Sequence, residues 1–183
     1  MIQLLLGLGL FAGVHLWRRL GPRSRGRWGD RGKLLVTAVS IAGVWLMARG
    51  FGAWDDAPFL WASAPWLRGV NNALVVVAFY LFVSSGMRTW GARLTRHPQL
   101  WAVILWATAH LLVNGDAASV VLFGGLVLWA VASILLINRA EPLWAPPPRQ
   151  PLAKEATAVA ATGVAVAVVG WVHGLIGPWP FGA

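Results

Sequence analysis

Four histidines, in a chain without cysteine, are the residues of this sequence most capable of chemistry. His15, His97, His110 and His173 all lie in or at the mouth of long apolar segments. An ionisable side chain inside a membrane-spanning segment costs free energy and therefore points to a function. The neutral imidazole of histidine is also the most common neutral nitrogen ligand of metal ions and a frequent ligand of haem iron. For each histidine taken singly, a hydrogen bond to a neighbouring helix is the competing explanation.

The other side chains that could bind a ligand or act in catalysis form less specific sequence patterns. The absence of cysteine excludes disulfides, c-type haem attachment, cysteine-ligated iron–sulfur clusters and a thiolate nucleophile. Neither a Walker nor a Rossmann glycine pattern is present. The acidic pair Asp55–Asp56 is typical of a solvated loop, and Asn71 and Asn72 are better suited to satisfying backbone groups than to binding a substrate.

His110 shares one predicted helical stripe with Trp106, four residues earlier, and Asn114, four residues later. Arg96 and His97 immediately precede this helix and are expected at the membrane interface. For Arg96 two interpretations stand: a membrane anchor, or a partner for an acidic group such as a haem propionate. We therefore treat all five as candidate cofactor-binding residues.

His15 follows three glycines in the first apolar segment. Small residues allow a second helix or a flat macrocycle to approach closely. One interpretation is that Gly9 and Gly13 form a GxxxG helix-packing face. The other is that this face is the wall of a cofactor site. The sequence alone leaves both open.

The segments that carry these histidines indicate a polytopic membrane protein. The chain of 183 residues is 58% hydrophobic and 11% charged, whereas soluble domains carry about 25% charged residues. Its 13 tryptophans fit the aromatic belts of membrane interfaces. We predict an all-α transmembrane bundle forming a single domain over residues 1–183. Its six predicted spans are 1–17, 34–53, 69–87, 98–114, 117–137 and 156–176.

Charge predicts the orientation of these spans. Of the 15 Lys and Arg residues, thirteen fall in the loops 18–33, 88–97 and 139–155, and only Arg49 and Arg68 fall on the opposite side. The positive-inside rule then places those three loops in the cytoplasm and both termini outside it. The net charge of +9 is explained by this topology, so we expect the lipid bilayer as a partner and no nucleic acid.

Depth along the helices suggests which histidines lie close together. His110 is 13 residues past His97, which is roughly 20 Å along a helix. By depth alone, His110 pairs with His173 toward the outer side of the membrane, and His15 pairs with His97 toward the inner side.

The run RHPQLWAVILWATAHLLVNGDAASVVLFG, together with FAGVHLW near the start and WVHGLIGPWPFG at the end, resembles the NnrU family of bacterial membrane proteins. The same family includes zeta-carotene isomerase, a membrane enzyme that uses haem b. The resemblance implies a haem b held by His15 and His110 as the axial pair, with His173 and His97 as the rivals that depth suggests. It also implies a bacterial inner-membrane location and a link with denitrification or nitric oxide metabolism.

Two alternatives to a simple haem protein remain at this stage. One is a haem-dependent polyene cis–trans isomerase. The isomerase has a cysteine three residues before its second haem ligand, and this chain has Ala107 there, so thiolate ligation is impossible. The other is a membrane methyltransferase, since such enzymes also use an Arg-His-Pro start to a helix, but the further cytoplasmic motif residues are missing. Whether the chain is an enzyme, and which hydrophobic substrate or redox partner it meets, is left open by the sequence.

Overall fold

The computed structural model describes residues 1–21 and 28–180. In these ranges the regular structure is helical, which confirms the all-α prediction, and the one strand-like feature is an isolated bridge between Phe59 and Asp116. Arg23, Arg25 and Arg27 of the predicted first cytoplasmic loop lie outside the described residues. The helices are α1 (Ile2–Leu20), α2 (Gly29–Gly52), α3 (Leu67–Met87), α4 (Gly91–Leu94), α5 (Pro98–Val113), α6 (Ala117–Ala140) and α7 (Leu152–Ile176).

Four helices, α2, α3, α6 and α7, are long and apolar enough to cross a membrane. The apolar part of α1 (Ile2–Trp17) and helix α5 are shorter. Helix α5 has 16 residues, about 24 Å at 1.5 Å per residue, against a hydrocarbon core of about 30 Å. The structure therefore fits a membrane protein with four candidate spans, and the two short helices are those that carry His15 and His110.

The long helices expose apolar side chains that a protein in water would bury. On α7 these include Val164, Val168 and Val172, and on α6 they include Leu128 and Leu135. Since lipid tails are as apolar as these side chains, such faces are stable in a bilayer. The backbone polar groups of each helix are meanwhile satisfied within the helix, as the hydrocarbon region requires.

The chain is organised as two compact units, and each unit combines two stretches of sequence. The first unit is Met1–Ala62 with Asn114–Pro142, and it contains α1, α2 and α6. The second unit is Ser63–Val113 with Leu143–Ala183, and it contains α3, α4, α5 and α7. The chain passes between the units at three places: after Ala62, after Val113 at the start of the Asn114–Gly115–Asp116 hinge, and after Pro142 in the proline-rich strap that links α6 to α7.

Within the first unit, glycines bring α1 and α2 into close contact. A Cβ atom on Gly7 would lie 2.6 Å from the carbonyl oxygen of Gly43 and 2.6 Å from the backbone nitrogen of Met47. A Cβ atom on Gly50 would collide with the backbone nitrogen of Leu4. Only glycine allows backbones to approach this closely.

The Asn114–Gly115–Asp116 hinge is held firmly by the first unit. The carbonyl oxygen of Gly115 accepts hydrogen bonds from the backbone N–H groups of Leu60 (2.7 Å) and Trp61 (3.1 Å). A side chain at Gly115 would collide with the carbonyl oxygen of Trp61. Asp116 caps α6, because its carboxylate accepts from the backbone nitrogen of Ser119 at 2.8 Å and from its hydroxyl at 2.7 Å.

Within the second unit, α3 packs against both α5 and α7. Its contact with α5 is centred on the buried residues Ala78, Leu81 and Ala102, with Leu105 and Trp106 packed around them. Alanines at this contact allow the two helices to lie close together. This packing fixes the face of α5 on which His110 lies.

The turn between α3 and α5 is tightly built. Arg88 ends α3 in the left-handed conformation (φ 57°), which is uncommon for a residue with a side chain. The buried hydroxyls of Ser84 and Thr89 lie 2.7 Å apart and form a hydrogen bond. A Cβ atom on Gly91 would lie 2.8 Å from the side chain of Ser84, so glycine is required for this turn to close.

Candidate functional site

A cavity of about 310 Å³ in the second unit brings together two of the predicted site histidines, His110 and His173. It lies among α3, α5 and α7, and its walls are mainly apolar. Ligand cavities commonly span roughly 300 to 1,000 Å³ and combine apolar walls with a few polar groups. The polar lining residues here are Asn71, Asn72, His110 and His173, with Trp106 beside them.

The His110 ring is held by its own helix. Its Nδ1 atom lies 2.9 Å from the carbonyl oxygen of Trp106, one turn earlier, and the planes of the two rings are inclined by 52°, with centroids 4.9 Å apart. A carbonyl oxygen can only accept a hydrogen bond, so Nδ1 carries the hydrogen and Nε2 carries the lone pair. Such a bond fixes the tautomer of a ligating histidine and raises its basicity.

The His173 ring is held by the chain that follows α7. Its Nδ1 atom lies 2.8 Å from the carbonyl oxygen of Pro178, which again leaves the lone pair on Nε2. The chain folds back because the Trp179 ring lies over Gly174, where a Cβ atom would come within 2.7 Å of Cζ3 of that ring. Pro180 lines the same cavity, so the segment 177–180 both orients His173 and forms part of the wall.

Asn71 ties the helix that carries His110 to α3. When its amide is oriented so that the nitrogen faces an acceptor and the oxygen faces a donor, the nitrogen lies 3.0 Å from the carbonyl oxygen of Ala109 and the oxygen lies 3.3 Å from the backbone nitrogen of Asn72. The carbonyl of Ala109 belongs to the residue before His110, so this bond fixes α5 next to the histidine. In this orientation Asn71 satisfies a backbone group, the role that its residue type suggests, and its place beside His110 was missed because it depends on the packing of α3 against α5.

His15 occupies an aromatic site in the first unit. Its Nδ1 atom lies 2.8 Å from the carbonyl oxygen of Phe11, and its ring centroid lies 4.3 Å from that of Phe11 and 5.4 Å from that of Trp129. The buried Nε1 of Trp129 has no hydrogen-bond partner among the described residues. His15 and His110 thus share one local arrangement. In each case the Nδ1–H donates a hydrogen bond to the carbonyl oxygen of an aromatic residue four positions earlier. This spacing is visible in the sequence.

The glycines before His15 differ in how closely they approach other helices. Gly7 forms the contact with α2, whereas a Cβ atom on Gly9 or Gly13 would meet nothing within 4 Å in the described parts of the chain. The packing face therefore involves Gly7 with Gly43, and the predicted Gly9–Gly13 packing face is not formed in the first unit. The reason is that the α1–α2 contact lies on the side of α1 that bears Leu4 and Gly7.

Three predicted site residues are not part of the lining of the His110 cavity: Arg96, His97 and Asn114. Arg96 and His97 precede α5, and His97 is 13 residues, roughly 20 Å of helix, from His110. None of the three lines the cavity. Helix α5 ends at Val113, so Asn114 follows the helix instead of continuing the stripe of Trp106 and His110. The predicted stripe fails there because the chain turns into the hinge.

Comparison with known proteins identifies the family. A family model described as "NnrU protein" matches residues 3–180, a range that extends over both compact units and all four histidines. Neither the comparison with curated proteins nor the comparison with solved structures finds a match. Since the match covers nearly the whole chain, the chain belongs to the NnrU family.

Proposed function

We propose that this chain is a six-span inner-membrane protein that binds haem b, which His110 and His173 would hold. The observation that carries the proposal is that these two histidines line one apolar cavity and each donates its Nδ1–H to a backbone carbonyl. Both rings are therefore oriented and present Nε2 as the ligating nitrogen.

The donor set fits haem better than a free metal ion. Among the described residues there is no group of three or more His, Cys, Asp or Glu that could hold a metal. Protein-bound zinc usually has three or four protein ligands, whereas haem iron receives four nitrogens from its macrocycle and takes one or two ligands from the protein. The apolar lining and the ring of Trp106 suit a flat macrocycle. When bound, haem supplies reversible one-electron chemistry at iron.

The chain itself would orient the ligands, keep water away and fix the ring tautomers. Trp106 and Pro178 hold the two imidazoles through their carbonyl oxygens, and Asn71 holds the backbone beside His110. A haem held by both His110 and His173 would favour electron transfer. A role in nitric oxide metabolism through direct binding of that gas would instead favour a haem held by one of these histidines.

The family resemblance supports a different opposing ligand, His15. Its tautomer is fixed in the same way as that of His110. The two assignments differ in a measurable way, because exchange of His15 should matter in one and exchange of His173 in the other.

A polyene cis–trans isomerase is the second candidate function, and an apolar groove favours it. The groove has a volume of about 280 Å³ and lies between α3 and α5, and it shares Phe79 and Trp106 with the histidine cavity. A linear apolar molecule in the groove would lie next to that cavity. Conversion of a cis-polyene by the purified protein in lipid vesicles, followed by reversed-phase chromatography, tests this activity.

The decisive experiment for the proposed function is an absorption spectrum of the purified protein from cells that synthesise haem. We expect a Soret band with the resolved visible bands of low-spin haem b. A protein that is folded and helical by circular dichroism but lacks haem, and does not take up added haemin, would overturn the proposal.

A further inference from the structure

One end of the second unit carries a strong excess of positive charge. It is the end where α3 finishes, whereas Arg68 lies at the start of α3. Arg88, Arg93 and Arg96 lie in the ten residues that connect α3 to α5, and Lys154 lies in the first turn of α7. The backbone nitrogen of Trp90 donates to Oε2 of Glu155 at 3.0 Å, so the start of α7 adjoins this connection. Glu155 is the one acidic residue in the stretches 63–113 and 143–183.

That acidic residue already accepts from a backbone group, and basic side chains outnumber acidic ones in these two stretches of sequence. The Nε atom of Arg93 is buried and has no hydrogen-bond partner among the described residues. An unsatisfied buried donor is costly, and a guanidinium has five N–H groups that suit the oxygens of a phosphate. At Nε of Arg93 this connection therefore presents a donor that suits an anion.

Aromatic side chains indicate where this end lies relative to a bilayer. Trp90 is 56% exposed, and Trp101, one turn into α5, is 43% exposed. Exposed tryptophans at helix ends are typical of the headgroup region of a membrane. The helices α3, α5 and α7 all start or end here, so the arginines are at the depth where lipid phosphates are found.

The turn that carries the arginines is also rigid enough to form a binding site. The buried Ser84–Thr89 hydrogen bond, the close packing of Gly91 and the left-handed backbone of Arg88 fix its path. A fixed backbone reduces the conformational entropy that is lost when a headgroup binds.

From these observations we infer that Arg88, Arg93 and Arg96, with Lys154, form a binding site for the phosphate headgroup of an anionic phospholipid. Clusters of basic residues next to a membrane span bind anionic lipids, at about 1 kcal/mol for each basic residue. The site is independent of the proposed haem, because His97, in the same connection, is roughly 20 Å along α5 from His110.

The test is native mass spectrometry of the full-length protein, released from nanodiscs that contain equal amounts of phosphatidylglycerol and phosphatidylcholine. We expect the wild-type protein to retain phosphatidylglycerol selectively. The double variant Arg88→Gln/Arg93→Gln should retain it at least tenfold more weakly, since roughly 1 kcal/mol per arginine corresponds to about fivefold each.

The matched control is Arg68→Gln, which removes one positive charge at the other end of α3 and should leave retention unchanged. Arg93→Lys keeps the charge but loses the bidentate geometry of the guanidinium, and we expect an intermediate loss.

Equal retention by the wild-type protein and the double variant would overturn the inference, as would an equal loss in Arg68→Gln. Displacement of the lipid by millimolar inorganic phosphate would indicate a site for free phosphate and would also overturn it.

Discussion

The Nδ1 atom of His173 lies 2.8 Å from the carbonyl oxygen of Pro178, so a segment that follows the last helix determines the orientation of a histidine inside it. The segment is held in place by the contact of Trp179 with Gly174. The sequence places the candidate site on helices, but the orientation of His173 also depends on residues 177–180, which follow the last helix.

The first prediction concerns the axial ligands. His110→Ala should abolish the low-spin haem spectrum, and His173→Ala should give the same result, because each variant removes one of the two imidazoles in the cavity. The measurement is the absorption and electron paramagnetic resonance spectrum of each purified variant. His97→Ala is the control and should keep the wild-type spectrum.

His15→Ala decides between the two pairs. If this variant alone reproduces the spectrum of His110→Ala, then His15 is the opposing ligand and the assignment of His173 is refuted. An unaltered Soret band in His110→Ala would refute both assignments, since His110 belongs to each.

The second prediction concerns the segment that orients His173. In Gly174→Ala the new methyl group should displace Trp179 and with it the carbonyl of Pro178, so His173 loses its hydrogen-bond acceptor. Loss of this bond makes the imidazole less basic and should raise the midpoint potential of the haem. The measurement is a redox titration, with the ferric resonance spectrum as a second signal.

Gly163→Ala is the matched control for this variant, because it lies on the same helix and its Cβ would meet nothing within 4 Å in the described ranges. It should leave the potential unchanged. Identical potentials in Gly174→Ala, Gly163→Ala and the wild-type protein would contradict a positioning role for the segment 177–180.

The third prediction concerns helix packing in the first unit. Gly7→Ala should destabilise the protein by about 1 to 3 kcal/mol, because its Cβ would be 2.6 Å from backbone atoms of α2. Gly13→Ala should have no destabilising effect, since its Cβ has open space and alanine favours helix more than glycine does. Reversible unfolding in mixed micelles, followed by circular dichroism, measures both. Equal loss of stability in the two variants would show that the contact of Gly7 with α2 is not the main packing contact.

The fourth prediction concerns topology. The distribution of basic residues places Ala140 in the cytoplasm and Ala62 on the opposite side, and both are exposed. The chain has no cysteine, so Ala140→Cys and Ala62→Cys each introduce a single thiol. In intact cells an impermeant thiol reagent should label Ala62→Cys, and Ala140→Cys should react only after the membrane is permeabilised. The reverse pattern would invert the proposed orientation.

The sequence by itself determined the class of the protein and most helix boundaries. Long apolar runs can only be stable as helices in a bilayer, and Pro98 and the Asn114–Gly115–Asp116 hinge limit α5 to within one residue of its predicted end. The histidines could also be recognised from the sequence as candidate site residues, because an ionisable group among apolar residues is costly in a membrane. These are local properties, so they can be recognised from residue type and spacing.

Only the tertiary structure decided which residues share a site. Depth along the helices placed His110 and His173 at a similar level, but the packing of α3 against α5 and α7 brought both to one cavity and added Asn71. Arg96 and His97 do not line that cavity, and in the first unit the packing of α1 against α2 uses Gly7 instead of the Gly9–Gly13 face. Contacts between helices depend on which faces meet, and the apolar faces of a membrane helix are too similar in composition for the sequence alone to specify that choice.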